Sequence, residues 1–276
     1  MSDVRYAIGR PFTTTAGQEG DFAIMSSATA PVPDTEAGYD PENVRNEHIQ
    51  RLWRSTITGD KVLTVNLATS QNPDAILIEN CNFTEVDVRT GADSYVTYTL
   101  DLNPRTGRYG RLINGPAGTG TDWDFRVNPT DAPNHTYCEI GRIVFVSSGV
   151  WEGAPPNNIM QNAAGDSRPW WQPYTWRANS LGASRILAGG ITETTSTSPV
   201  FLDFDLEGSF DMLDDTEISH PLAYTRMLTD QRILHWEDRT EDTNNMHAYL
   251  CRRDGPASVS NEFPYLNIDM NLVEVI

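Results

Sequence analysis

Cysteine is scarce in this chain. Cys81, Cys138 and Cys251 are an odd number, far apart, with no Cys-x-x-Cys pair, which argues against a disulfide framework. Three buried thiols acting as small hydrophobes are the expectation, with a Cys81–Cys138 bridge as the alternative. Lysine is nearly absent, Lys61 being the single one among 20 basic residues. No run of 18 apolar residues occurs, so no membrane span is expected, and Met1 to Phe12 is too polar for a signal peptide. His48, His135, His220, His235 and His247 form no His-x-x-x-His or His-Glu-x-x-His pair, which disfavours a zinc centre. Neither a Gly-x-Ser-x-Gly elbow nor a Gly-x-x-x-x-Gly-Lys phosphate loop is present.

What the chain has in abundance is negative charge. Its 38 acidic residues against 20 basic ones leave a formal charge of −18 over 276 residues. Such a field repels nucleic acid and anionic membranes, so neither is an expected partner, and a neutral or cationic one is. The lysine-poor, arginine-rich balance fits either a GC-rich coding bias or a saline habitat, in which acidic surfaces stay hydrated. The length suffices for one large β domain or two smaller ones.

Apolar periodicity divides the chain. Residues 1–45 are rich in Thr, Ala, Gly and Pro and predict an extended arm or a disordered tail. Pro41 to Trp53 predicts a short helix, with Asp40 as N-cap and Pro41 at its first position. Over 46–150 the pattern has period two. Strands are expected at Val62–Leu67, Ala75–Ile78, Glu85–Arg89, Tyr95–Leu102 and Ile140–Val146, with a glycine-rich break at 115–120. Residues 151–175, with Pro155 and Pro156, read as a linker. A second β-rich domain over 176–276 is expected to contain strands at Ser184–Ala188, Val200–Leu206, Ile233–Glu237, Met246–Arg252 and Leu266–Ile276, and a helix at Phe210–Ser219. The fold class expected is mainly β, a sandwich followed by a second β unit with few short helices.

Trp53, Arg54 and Ser55 lead through a turn at Gly59 and Asp60 into Val65, Asn66 and Leu67. This order resembles the opening of a galactose-binding-like, discoidin-type β-sandwich, in which a Trp-x-Ser turn precedes such a strand. The whole chain resembles the minor structural proteins of tailed viruses. That second resemblance rests on an acidic β-rich chain, the Trp53–Ser55 entry, a second half bearing Trp176, Arg177, Gly182 and Arg185, and the ending Asn271 to Val275. It implies a non-enzymatic virion component of the tail tip or baseplate, made in a host cytoplasm. Such a component is commonly a homo-oligomer that joins other virion proteins or presents a carbohydrate-binding module to host-surface glycans. The wider fold frequently carries a calcium ion near the sandwich edge, with no ligand loop that maps onto this sequence.

Two clusters are candidate sites. Trp170, Trp171, Tyr174 and Trp176, with Arg177 beside them, are flat rings suited to stacking on sugars. They are equally suited to a subunit contact, to the core, or to a seam between halves. Asp203, Asp205 and Glu207 begin an acidic run that imitates an EF-hand count through Asp214. Position 12 lacks the bidentate Glu, and Val200, Leu202, Phe204 and Leu206 alternate with the acids, so a strand with one wet face is the better reading. A calcium site on that face remains a candidate. Two further functions stay open: a head-surface decoration or turret protein, and a polysaccharide-degrading enzyme with two carboxyls about 5–9.5 Å apart.

Overall fold

The computed structural model describes residues 3–31, 34–57, 59–103, 106–148, 150–152, 160–161, 167–168, 175–179, 182–186, 192–196, 201–211, 227–238, 248–262 and 265–275. They fall into two compact units, one made of 1–152 with 230–250, the other of 153–229 with 251–276. The protein is mainly β, and its described strand pairs are antiparallel.

The first unit runs through β1 (Asp3–Gly9), β2 (Met25–Thr29), β3 (Trp53–Arg54), β4 (Lys61–Gln71), β5 (Ala75–Cys81), β6 (Glu85–Thr90) and β7 (Val96–Thr99). It continues with β8 (Asp101–Asn103), β9 (Arg108–Asn114), β10 (Gly120–Val127), β11 (Glu139–Ile140), β12 (Arg142–Val146) and β13 (Val150–Glu152). A five-stranded sheet, in the order β2-β4-β10-β6-β7, faces a four-stranded one, β12-β5-β9-β8. Alternation decides what lies inside. Leu63, Val65 and Leu67 of β4 join Trp123 and Phe125 of β10 against Ile76, Ile78, Ile143 and Phe145 of the opposing sheet. Trp123 and Phe125 meet Phe145 edge-on, with ring centroids 5.8 and 6.1 Å apart. That is the geometry the ring quadrupoles favour.

The four-stranded sheet is covered on both faces. Ala75, Leu77, Leu112, Val144 and Val146 point away from the sandwich core and pack with Ala7 of β1, Phe22, Leu234 and Leu250. This explains why β5 and β12 read as continuous apolar runs, as strands buried on two sides do. β1 pairs with β13 and, over seven residues, with the returning strand Arg232–Asp238.

Several expectations change here. Residues 1–45, expected as an arm or tail, supply β1, β2 and a 3-10 helix at Pro41–Arg45 that buries Val44. Asp40 caps that helix by accepting from the Glu42 amide, but extended backbone at Asn46 ends it well before Trp53. Tyr95–Leu102 is two strands in different sheets, because buried Leu100 turns the chain from one sheet to the other. Ile140–Val146 breaks at Gly141, where a Cβ would stand 2.5 Å from the Ile49 carbonyl oxygen. β9 and β10 were not foreseen. The three cysteines are unbridged and buried. Burial pushes the Cys138 thiol up to about 12 and raises Cys81 further, so neither is a ready nucleophile.

In the second unit, β14 (Met160–Gln161) pairs with β15 (Ser167–Arg168), inside the stretch expected as a linker. β16 (Thr175–Asn179) is followed by the pair β17 (Gly182–Ile186) and β18 (Thr192–Ser196), then β19 (Phe201–Asp211). β20 is the strand Arg232–Asp238 of the first unit. The boundary between units falls at Leu250/Cys251, inside β21 (Ala248–Glu262), and β22 (Tyr265–Glu274) closes the chain. The order is β21-β22-β19-β16. β22 has the predicted alternation, with Met270 and Leu272 buried and Asp269 exposed. Of the helix expected at 210–219, Phe210 and Asp211 end β19, and the remainder lies outside the described residues.

Candidate functional site

β3 and β11 form a two-stranded ribbon, with Arg54 opposite Glu139 and Trp53 opposite Ile140. Period two decides the ribbon's chemistry. Trp53 and Ser55 turn inward and are fully buried, so Arg54 between them turns outward. Trp53 donates its indole N–H to Thr35 Oγ1 at 3.1 Å, and Ser55 exchanges hydrogen bonds with the Cys138 backbone at 2.8 Å. On the ribbon's other side, Thr35 bridges to Ser55 and the Glu36 amide donates to the Arg54 carbonyl at 3.0 Å. A turn then brings Tyr39 back, its amide donating to the Glu36 carbonyl, with Gly38 at φ +92°. That left-handed conformation suits glycine.

The Arg54 guanidinium lies 3.9 Å from the ring centroid of Tyr39 and 4.3 Å from that of Tyr137, and His135 stands 5.3 Å from Tyr137. The two tyrosines are half-buried and His135 is exposed. One edge of the guanidinium is fixed: Nε and Nη2 donate to Glu139 Oε1 at 2.8 and 2.6 Å. Nη1 is 3.5 Å from Glu36 Oε2, too long for a good hydrogen bond, so Glu36 does not use up its donor capacity. Burial works against the charge on Arg54, but the hydrogen bond and charge of Glu139 outweigh it and hold the group above its ordinary value.

Glu139 is itself anchored from behind. Arg108 Nη2 donates to its other oxygen at 2.7 Å, and Asn82 accepts from the Glu139 amide at 2.7 Å and donates to the Tyr137 carbonyl at 2.9 Å. Arg108 also reaches the side chain and carbonyl of Asn80, a left-handed residue (φ 57°) at the β5–β9 bulge. Asn134, one residue before His135, is likewise left-handed at φ 65°. Two non-glycine residues in this uncommon region border one patch, a placement typical of sites where geometry is imposed by surroundings. The result is a rigid surface of two rings, an imidazole and a guanidinium whose charge is balanced locally. It can stack on a flat apolar face and donate to hydroxyls.

A second feature is a depression of about 210 Å³ where Asp60, Glu85, Asp87, Asn128 and Asp131 surround Arg126. Arg126 donates to Asp87 at 2.9 and 2.6 Å, and Asn128 to Asp60 at 2.6 Å. Burial, then the charges of Asp87 and Asp60, raise the proton affinity of Asp131. A carboxyl with a raised folded-state pKa binds more protons folded than unfolded, so its contribution to stability falls as pH rises through that window. Asp131→Asn should therefore raise the melting temperature at pH 7, and the gain should vanish as pH falls to and below 3.8, the ordinary value. Solvent screening keeps the effect to about a few tenths of a kcal/mol. Parallel melts of both proteins across pH 3–8 check it, and a gain that persists in acid would refute this origin.

The sites expected from sequence lie elsewhere. Trp170, Trp171 and Tyr174 fall outside the described residues. Trp176 and Arg177 are adjacent on β16, in register with Phe204 and Asp203 of β19. Asp203, Asp205 and Glu207 lie on β19, in register with Val273, Asn271 and Asp269 of β22. A paired strand over 201–211 is not an EF-hand loop, so the alternation outweighs the spacing. Among the described residues no group of three or more His, Cys, Asp or Glu is placed to hold a metal. In the sequence Arg54 stands out only as part of the entry motif, and Tyr39, His135 and Tyr137 carry no local signal.

No known family model matches the chain, and no curated protein matches it. Among solved structures it is similar to the family 32 CBM of C. perfringens NanJ in complex with galactose, with 17% identity over 45% of this chain and 97% of that one, at a TM-score of 0.36. It is similar also to the CBM32 of AlyQ in complex with 4,5-unsaturated mannuronic acid, with 12% identity over 46% and 98% and a TM-score of 0.35. A third is SpGH29, with 14% identity over 46% of this chain but only 28% of that chain, again at 0.35. Among the described residues no helix is long and apolar enough to cross a membrane.

Proposed function

We propose that this protein is a non-enzymatic component of a tailed-virus particle, at the tail tip or baseplate, whose sandwich rim contacts neutral glycans of the host surface. The observation that carries the glycan contact is the Arg54 guanidinium fixed against Tyr39 and Tyr137, with Nη1 beyond good hydrogen-bond range of Glu36. Aromatic faces stack on the C–H faces of sugars while fixed donors orient hydroxyls. Glu139 accepts from guanidinium groups at both oxygens and serves to position Arg54. The virion placement rests on the acidic, arginine-rich β chain described above. Many copies on one particle would turn weak single-site contact into firm attachment.

Tyr137→Ala is expected to weaken binding of neutral oligosaccharides about fivefold, since one stacked ring contributes on the order of 1 kcal/mol. Titration of the full chain by NMR against a panel of neutral oligosaccharides measures this, with a thermal melt to show that the fold is kept. If no member of the panel shifts the resonances of the rim, the glycan reading fails. Immunogold labelling of particles separates tail from head, and labelling of the head surface would favour a decoration or turret role. One observation favours an enzyme instead: Asp131, its proton affinity raised, faces Asp60 and Asp87 across a depression. Release of reducing ends from host polysaccharide would support that reading.

A further inference from the structure

Glu36 holds an unusual place at the rim. Its amide donates to the Arg54 carbonyl at 3.0 Å and its carbonyl accepts from Tyr39, so it is built into the turn that carries one of the two rings. Its carboxylate stands 3.5 Å from Arg54 Nη1, with the Glu side chain 45% exposed and the Arg side chain 20%. The remaining edge of that guanidinium belongs to Glu139. The patch thus holds two guanidinium groups, Arg54 and Arg108, and two carboxylates, Glu36 and Glu139, and is locally neutral.

An exposed arginine beside aromatic rings would ordinarily attract carboxylated sugars, because a guanidinium matches a carboxylate with two parallel hydrogen bonds. Here the inner edge, Nε and Nη2, is occupied by Glu139, and the outer nitrogen lies under the charge of Glu36. An incoming carboxylate at Nη1 would sit beside a like charge, and such juxtaposition is the usual device by which an interface rejects a wrong partner. A neutral hydroxyl meets no such penalty and can accept from Nη1. We infer that Glu36 is a specificity-determining residue, which makes the rim select neutral sugars and reject uronic acids. This rests on the glycan reading above and adds to it the charge class of the ligand.

The net charge of −18 works in the same direction at long range, but that contribution is screened by salt, whereas a contact-range repulsion beside a half-buried arginine persists. Salt therefore separates the two.

The test uses matched probes, the methyl glycosides of galactose and glucose and of galacturonic and glucuronic acid, titrated by NMR against the full chain, Glu36→Gln and Tyr137→Ala at low and at 0.5 M salt. Glutamine keeps the shape and the backbone bonds and removes only the charge. The expected result is a wild type that prefers the neutral glycosides at both salt concentrations, and a Glu36→Gln protein in which the ratio of uronic-acid to neutral affinity rises about three- to tenfold. Neutral binding that is lost in Tyr137→Ala, with discrimination unaltered in Glu36→Gln, would overturn the role of Glu36 and leave the glycan reading standing. Equal binding of both classes by the wild type would also overturn it. A wild type that binds none of the four probes would take both down together.

Discussion

Glu139→Ala should lower the stability of the first unit by about 3 kcal/mol, because it leaves two arginines without the carboxylate they share. Arg54 donates to one oxygen through two nitrogens and Arg108 to the other, while the Glu139 side chain is only 5% exposed. Breaking a buried pair by removing one partner costs about 3–5 kcal/mol, and the residual solvation of both arginines places this case at the lower end. With a urea dependence of about 1–3 kcal/mol per molar, the unfolding midpoint should fall by on the order of 1–3 M. The buried Trp53 and Trp123 supply the fluorescence signal. Glu139→Gln, which keeps the shape but not the charge, should fall between the two. A Glu139→Ala midpoint unchanged from wild type would mean that water already satisfies both guanidinium groups and that the rim is not rigid.

A chain ending at Glu152 should fail to unfold cooperatively. The first unit takes β20 from residues that lie between β19 and β22 of the second unit, and with it β1 gains its seven-residue partner. Ile233, Leu234 and Leu250 are fully buried, the last two against the outer face of the four-stranded sheet. Each such side chain contributes about 1.5–3 kcal/mol when removed from water, so losing three removes about 5–9 kcal/mol. That is comparable with the whole stability of a domain, about 5–15 kcal/mol. The truncation also deletes Arg232, which donates to Glu47 at 2.8 Å. Urea titration and one-dimensional proton NMR of residues 1–152 beside the full chain decide the matter. A sharp transition with dispersed methyl resonances in the truncated chain would show that the sandwich stands without the return strand.

Both effects arise from contacts between residues far apart in sequence, and this separates what could be read from the sequence from what could not. Val62–Leu67 and Glu85–Arg89 were legible because one face of the five-stranded sheet is wet, so apolar residues alternate with polar ones. β10 has the same signal, Trp123, Phe125 and Val127 alternating with Asp122, Asp124 and Arg126, but the glycine-rich break before it masks the pattern. β1 and β2 were harder. Their composition is that of a polar arm, and they become strands because β20 and β4 offer them edges.

The Trp53-Arg54-Ser55 triplet was visible as a motif. That its inward members lock to Thr35 and Cys138, and that its outward one meets rings from residues 39 and 137, depends on pairings across as many as 83 positions. By itself the sequence determined the mainly β class, the strong net negative charge and the strand over the run of aspartates, since each follows from composition or from a period of two. Only the tertiary structure decided that the four-stranded sheet is covered on both faces, that residues 230–250 return to the first unit, and where the rim lies. Those outcomes depend on which distant edges and charges meet, and local propensity holds no record of them.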